Sequence, residues 1–181
     1  MISGEPPVLC VIGRRNSGKT GLTVALAAEL NRRGYRIMTV KHGHGFQVDQ
    51  PGKDSWRHRH EGGAVRTVMA SPTGLALVGA WPDGEMALPE MVRRFLWDAD
   101  IVLAEGFKSL PEPKLEIHRK GTHPNPLFDP SDPDSARTLA LVTDDPALKL
   151  SIPSFLLDGP EMIQGLADFV EETFQMKGRG E

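Results

Sequence analysis

Apolar residues along this chain fall into short continuous runs, separated by stretches in which they recur every three or four positions. Buried strands alternating with amphipathic helices produce that pattern. The first run, VLCVIG at 8–13, is apolar without alternation, as a strand covered on both faces requires. Behind it Leu22, Ala25, Leu26 and Leu30 share one helical face, and Gly34 supplies a stop. A second β-prone run, YRIMTVKHG, completes strand, helix, strand, the parallel βαβ unit with its right-handed crossover.

Further along, PGKDSWRHRHEGG reads as a loop and short helix, with Asp54 or Ser55 as N-cap and Gly62–Gly63 as terminator. AVRTVMA and LALVGAW flank SPTG, which predicts an antiparallel hairpin beside the parallel strands and hence a mixed sheet. Leu88, Met91, Val92, Phe95 and Leu96 line one side of a further helix, and DIVLAEG is a buried strand ending in a carboxylate. KLEIHR, TLALVTDD and the shorter SFLLD are strand candidates. Asp158 and Glu161 resemble a capping box before a last helix that buries Ile163, Leu166, Val170 and Phe174. Between them GTHPNPLFDPSDPDS, 121–135, is expected to be an irregular surface loop, because proline removes ladder and helix donors. The fold class is therefore α/β, a mostly parallel sheet with an antiparallel hairpin, flanked by helices.

Length and charge narrow the possibilities. A chain of 181 residues predicts one domain over 1–181. A net charge of −3 leaves no global positive field, so neither nucleic acid nor a membrane surface is an expected partner, and any polyanion must be held locally. Cys10 is the one cysteine and lies inside an apolar run, which predicts a buried thiol and a reducing compartment. With no basic, apolar leader and no apolar stretch of membrane-spanning length, a cytoplasmic location is expected.

The chemistry concentrates in GRRNSGKT, which matches G-x-x-x-x-G-K-[ST] at Gly13, Gly18, Lys19 and Thr20. A strand precedes it and a helix follows, so loop amides and a helix N-terminus converge on one anion. Gly13 and Gly18 admit backbone conformations that side chains forbid. The amides of Asn16, Ser17, Gly18, Lys19 and Thr20 are placed to bind a β-phosphate, Lys19 to bridge the β- and γ-phosphates, and the Thr20 hydroxyl to ligate magnesium. Glu105, ending a core strand, is the Walker-B-like acid, with Asp49 a weaker metal candidate. Asp144 or Asp145 suits selection of guanine, since a carboxylate accepts from both N1–H and the exocyclic amine. No nucleophile has an adjacent base, so the expected reaction is slow phosphoanhydride hydrolysis by positioning, with Lys19 and Glu105 as its catalytic groups.

GRRNSGKT, TVKHGHGFQVDQPGKDSWRHRHEGGAVRTVMASP, DIVLAEGFKSLPEPKLEIHR and LALVTDD together resemble the MobB family of molybdopterin-guanine dinucleotide biosynthesis. The resemblance covers most of 7–175 and is carried chiefly by KHGH, PGKDS and EGFK. It implies a SIMIBI-class P-loop fold, a homodimer, GTP and magnesium as cofactors, and weak GTPase activity. It also implies a MobA-type guanylyltransferase and molybdopterin, or its molybdenum form, as partners. It places Asn16, Ser17, Gly18, Lys19, Thr20 and Gly21 on the phosphates, with Thr20 and Glu105 near the metal. The chain departs from that pattern at Gly45, where a second histidine is expected after His44, and in the insert at 121–135.

Two other classes share parts of this pattern. His42, His44, His58 and His60 would suit a nickel-delivering metallochaperone GTPase, although no cysteine pair or histidine-rich tail accompanies them. A P-loop small-molecule kinase would add an arginine-bearing lid, whereas 53–66 is short and 121–135 has no arginine. The basic residues Lys41, Lys53, Arg57, Arg66 and Lys108 are candidates for a second anionic pocket.

Overall fold

The structure is a computed structural model that describes residues 4–43, 45, 48–81, 84–159 and 161–177. Its elements are, in chain order, β1 (Val8–Ile12), α1 (Lys19–Arg32), β2 (Ile37–Lys41), α2 (Asp54–His60), β3 (Arg66–Ser71) and β4 (Gly74–Gly79). They continue with α3 (Leu88–Phe95), β5 (Ile101–Glu105), β6 (Lys114–His118), β7 (Thr138–Thr143), β8 (Ser154–Leu156) and α4 (Met162–Thr173). The chain divides into two compact units, one of residues 1–42 and 92–181 and the other of 43–91.

The larger unit is built on a six-stranded sheet in the order β2-β5-β1-β6-β7-β8, with every pairing parallel. β1 and β2 are thus parallel as expected, with β5 inserted between them. One face of the sheet carries Leu9, Val11, Leu103, Leu115, Ile117 and Val142, which pack with Leu22, Leu26 and Leu30 of α1 and Leu166, Ala167 and Val170 of α4. Each such side chain removed from water contributes roughly 1.5–3 kcal/mol, which makes this layer the main stabilising element.

The helical faces differ from the sequence expectation in detail. In α1 the buried positions are Leu22, Thr23, Leu26, Glu29 and Leu30, while Ala25 is exposed. Thr23 and Glu29 are tolerated there because their polar atoms are satisfied. Thr23 Oγ1 donates to Lys19 O at 2.9 Å, and the Glu29 carboxylate accepts from Arg32 and Arg33 at 2.7–2.9 Å. Arg33 also donates to Asp168 and Glu171 at 2.6 Å, tying α1 to α4. In α4, Ile163 and Phe174 are half-buried against the core rather than within it. No side chain caps its first turn, and Glu161 is the N-cap residue, so the expected Asp158 capping box is not formed. In α3, Leu88 and Val92 are buried whereas Phe95 is exposed. The N-cap of α2 is Lys53, one residue before Asp54 and two before Ser55; Ser55 instead donates to Asp49.

The opposite face of the sheet carries polar side chains on its central strands. Lys114, Glu116 and His118 alternate along β6, and all three are buried. The proline-rich segment answers part of that polarity. Glu116 accepts from Leu127 N–H at 2.5 Å and Phe128 N–H at 2.9 Å, and His118 pairs with Thr143 Oγ1 and His123 O. Residues 121–135 are therefore irregular, as expected, yet anchored to a core strand; a 3-10 turn, Pro133–Arg137, closes the segment under an Asp132 cap. Cys10 is fully buried on β1, and burial pushes its thiol up to about 12.

In the 43–91 unit, β3 and β4 form a two-stranded antiparallel sheet of their own. The expected hairpin is present, but among the described residues it pairs with no strand of the parallel sheet, so the expected mixed sheet is not formed. Two β-prone runs joined by a two-residue turn close on each other, and nothing in their pattern selects a further edge. Val68, Met69, Leu75 and Leu77 of this hairpin are exposed.

Candidate functional site

The parallel strands of the larger unit end on one side, where the 13–18 loop follows β1 into α1, Glu105 closes β5, Lys41 closes β2, Arg119 follows β6 and Asp144–Asp145 follow β7. Open α/β sheets bind ligands at that edge because loops and helix N-termini converge there. Gly13 leaves β1 at φ +153°, and a Cβ on it would collide with Ile117 O and Ser17 Oγ. Only glycine permits so close a passage beside β6. Gly18 (φ +100°) and Asn16 (φ +61°) are both left-handed, and asparagine tolerates that region better than most residues.

This backbone leaves donors facing the loop. The first bond within α1 runs from Leu22 N–H to Gly18 O at 3.0 Å, so the amides of Lys19, Thr20 and Gly21 have no helical acceptor. Lys19 Nζ arches over the loop to Gly13 O (3.1 Å) and Arg14 O (2.8 Å). Ser17 is 1% exposed, and its Oγ has no hydrogen-bond partner among the described residues. An orphaned buried hydroxyl beside open amides and an ammonium fits an anionic group such as a phosphate. Arg119, directly after β6, donates from Nε to Ser17 O at 3.1 Å and adds a second cation to the loop.

Thr20 and Glu105 meet across 85 positions of sequence, with the hydroxyl 3.0 and 2.9 Å from the two carboxylate oxygens. Lys41, which lies opposite Glu105 in the β2–β5 register, places Nζ 3.0 Å from Glu105 Oε1 and 3.2 Å from Thr20 Oγ1. A hydroxyl and a carboxylate are the hard oxygen donors that magnesium takes, so the residues present fit that ion.

The remaining sequence candidates are tied to neighbours of their own. Asp49 lies in the 43–91 unit, where its carboxylate accepts from Ser55 at 2.7 Å and pairs with Arg59 at 3.2 Å. Asp144 accepts from Lys120 N–H at 2.7 Å; the Lys120 ammonium lies 3.0 Å from Asp145, and that hydrogen bond holds the Asp145 carboxyl below its usual range. Of the histidines, His42 packs against Phe107 at 5.1 Å and His60 stacks on Trp56 at 4.3 Å, while His44 falls outside the described residues. Among the described residues no three His, Cys, Asp or Glu side chains come together to hold a metal.

Sequence reasoning overlooked two residues here. Arg119 directly follows β6, and Lys41, expected in the KHGH stretch and among the candidates for a second anionic pocket, instead faces Thr20 and Glu105. In each case the available signal was a cation at or just beyond the end of a strand, on the edge where ligands bind.

Comparison with known proteins supplies the family. The family model described as Molybdopterin guanine dinucleotide synthesis protein B matches residues 8–144. The molybdopterin-guanine dinucleotide biosynthesis adapter protein of Haemophilus influenzae is 36% identical over 173 residues, covering 94% of this chain and 90% of that protein. Its Escherichia coli counterpart is 35% identical over 176 residues, with 93% and 94% covered. A crystal structure of molybdopterin-guanine biosynthesis protein B superposes with a TM-score of 0.70 at 26% identity, covering 92% of this chain and 99% of that one. A MobB homologue from Bacillus stearothermophilus, at 23% identity and TM-score 0.65, shares the fold over 94% of this chain and 99% of its own. With its phosphate-type loop, its strand-end acid and a match over most of its length, the chain belongs to the molybdopterin guanine dinucleotide synthesis protein B family.

Proposed function

We propose that this protein is a nucleotide-gated adapter in molybdopterin-guanine dinucleotide assembly, binding GTP with magnesium at the 13–21 loop and hydrolysing it slowly. The observation that carries the reading is the convergence of the open amides, Lys19 and the Thr20–Glu105 pair at one strand edge. In this reading Gly13, Asn16, Ser17, Gly18, Lys19, Thr20 and Gly21 hold the phosphates. Magnesium, held by Thr20 and Glu105, would neutralise phosphate charge; Asp49 remains a second candidate ligand, and Asp144 or Asp145 reads guanine once released from Lys120. The adapter names of the relatives support a partner in the pathway, which we take to be a MobA-type guanylyltransferase handling molybdopterin. The exposed apolar side chains of β3 and β4 support a homodimer, since patches of this kind on soluble proteins mark interfaces. Among the described residues no helix is long and apolar enough to cross a membrane, and the cytoplasm is the proposed compartment.

The test is calorimetry with magnesium and GTP or ATP on wild type and Lys19→Ala, followed by a dinucleotide-assembly assay with the guanylyltransferase. GTP uptake by the wild type, lost in a folded Lys19→Ala protein together with its effect on assembly, is the expected result. No uptake of either triphosphate by the wild type would overturn the reading.

A further inference from the structure

The Lys41 ammonium closes β2 beside the strand that carries Glu105. It lies 3.0 Å from Glu105 Oε1 and 3.2 Å from Thr20 Oγ1, between the two side chains suited to a metal. The sheet brings it there. β2 and β5 run parallel with Lys41 opposite Glu105, and His42 N–H donates to Glu105 O at 3.0 Å just beyond the last pair. The Glu105 side chain is 12% exposed and that of Lys41 is 64% exposed, so the carboxylate is fixed and the ammonium is the partner able to leave.

An ammonium has three donors and no acceptor, so it can satisfy the same oxygen lone pairs that a cation would take. It cannot keep them beside a doubly charged ion, because like charges at such short range repel strongly. Once displaced, a cation on a long unbranched stem is drawn to the nearest concentration of negative charge. In a loaded phosphate loop that is the terminal phosphate, whose charge a diphosphate lacks.

We propose that Lys41 is a tethered substitute for the metal: it neutralises Glu105 and holds Thr20 in the nucleotide-free protein, excludes divalent cations until a nucleotide is bound, and then favours triphosphate over diphosphate. This rests on the nucleotide reading above. Lys41 acts here as a positioning and specificity residue, with no chemical step of its own.

Lys41→Met keeps the stem and removes the charge; Lys41→Arg keeps a charge. Manganese binding to the nucleotide-free proteins is followed by electron paramagnetic resonance, and GTP and GDP affinities by calorimetry. Manganese affinity should rise about tenfold in Lys41→Met and stay near the wild-type value in Lys41→Arg, and the GTP-over-GDP preference should fall about tenfold in Lys41→Met, as expected for loss of one charge-assisted contact. Equal manganese affinity in wild type and Lys41→Met overturns the proposal. Should Lys41→Met fail to fold, the amine resonance of Lys41 in the wild type decides. A shift on adding magnesium with a non-hydrolysable GTP analogue supports the displacement, and an unmoved resonance overturns it. Wild-type protein that binds no triphosphate would instead sink the nucleotide reading, so the two failures are distinguishable.

Discussion

Replacing Glu116 by alanine should release the proline-rich segment from the sheet. Its carboxylate is 1% exposed and accepts from Leu127 N–H at 2.5 Å and Phe128 N–H at 2.9 Å. Losing it strands two backbone donors at roughly 1–3 kcal/mol each, or about 2–6 kcal/mol together. Leu127 and Phe128 are themselves only half-buried, so water reaches their amides once the segment lifts, and the lower part of that range, about 2–4 kcal/mol, is expected. Glu116→Gln keeps one acceptor and should cost about 1–2 kcal/mol. The pH dependence has a definite sign. Burial raises the Glu116 carboxyl above its usual range, against the two backbone donors that lower it. The folded state therefore holds its proton more tightly than the unfolded chain, and the stabilising contribution is lost as pH rises from the ordinary carboxylate range towards neutrality. The advantage of wild type over Glu116→Gln should accordingly shrink as pH rises. Urea unfolding at several pH values gives the energies, and amide hydrogen exchange at Leu127 and Phe128 locates the change. An unaltered unfolding midpoint with unaltered exchange at both amides in Glu116→Ala would refute the anchoring argument.

Two further expectations follow from particular contacts. Gly13→Ala introduces a Cβ against Ile117 O and Ser17 Oγ at a backbone angle that L-residues avoid; it should destabilise by about 1–3 kcal/mol and abolish GTP uptake, measured by thermal melting and calorimetry. Arg33→Ala removes contacts to Glu29, Asp168 and Glu171. Hydrogen bonds from Arg32 and Arg33 hold the Glu29 carboxyl at about 2, so its contribution is present above the ordinary carboxylate pKa and is lost as pH falls from there to about 2. The midpoint of acid unfolding should therefore move to higher pH in Arg33→Ala, as circular dichroism would show.

Much of the fold and half of the site were legible in the amino-acid order, because the interactions that define them are local. A continuous apolar run, a glycine-rich turn and an amphipathic helix in succession specify the phosphate loop with no knowledge of the rest of the chain. The backbone conformations at Gly13 and Gly18, and the roles proposed for Lys19 and Thr20, follow from sterics and charge over eight residues. Periodicity located the strands to within a residue or two, since burial on both faces leaves a compositional trace. It misplaced Ala25 and Phe95, where spacing suggested a buried face but packing left the side chain in solvent.

Strand order was not legible, and with it went everything that depends on which strand lies beside which. β5 entering between β1 and β2 sets Glu105 against Thr20 and Lys41 opposite Glu105, an arrangement joining positions 20, 41 and 105. The polar row on β6 and the loop that satisfies it are likewise separated in sequence and meet only through folding. Sequence periodicity records how much of a residue is covered. It holds no record of the partner that covers it, because hydrophobic burial is non-directional and many pairings would satisfy the same pattern.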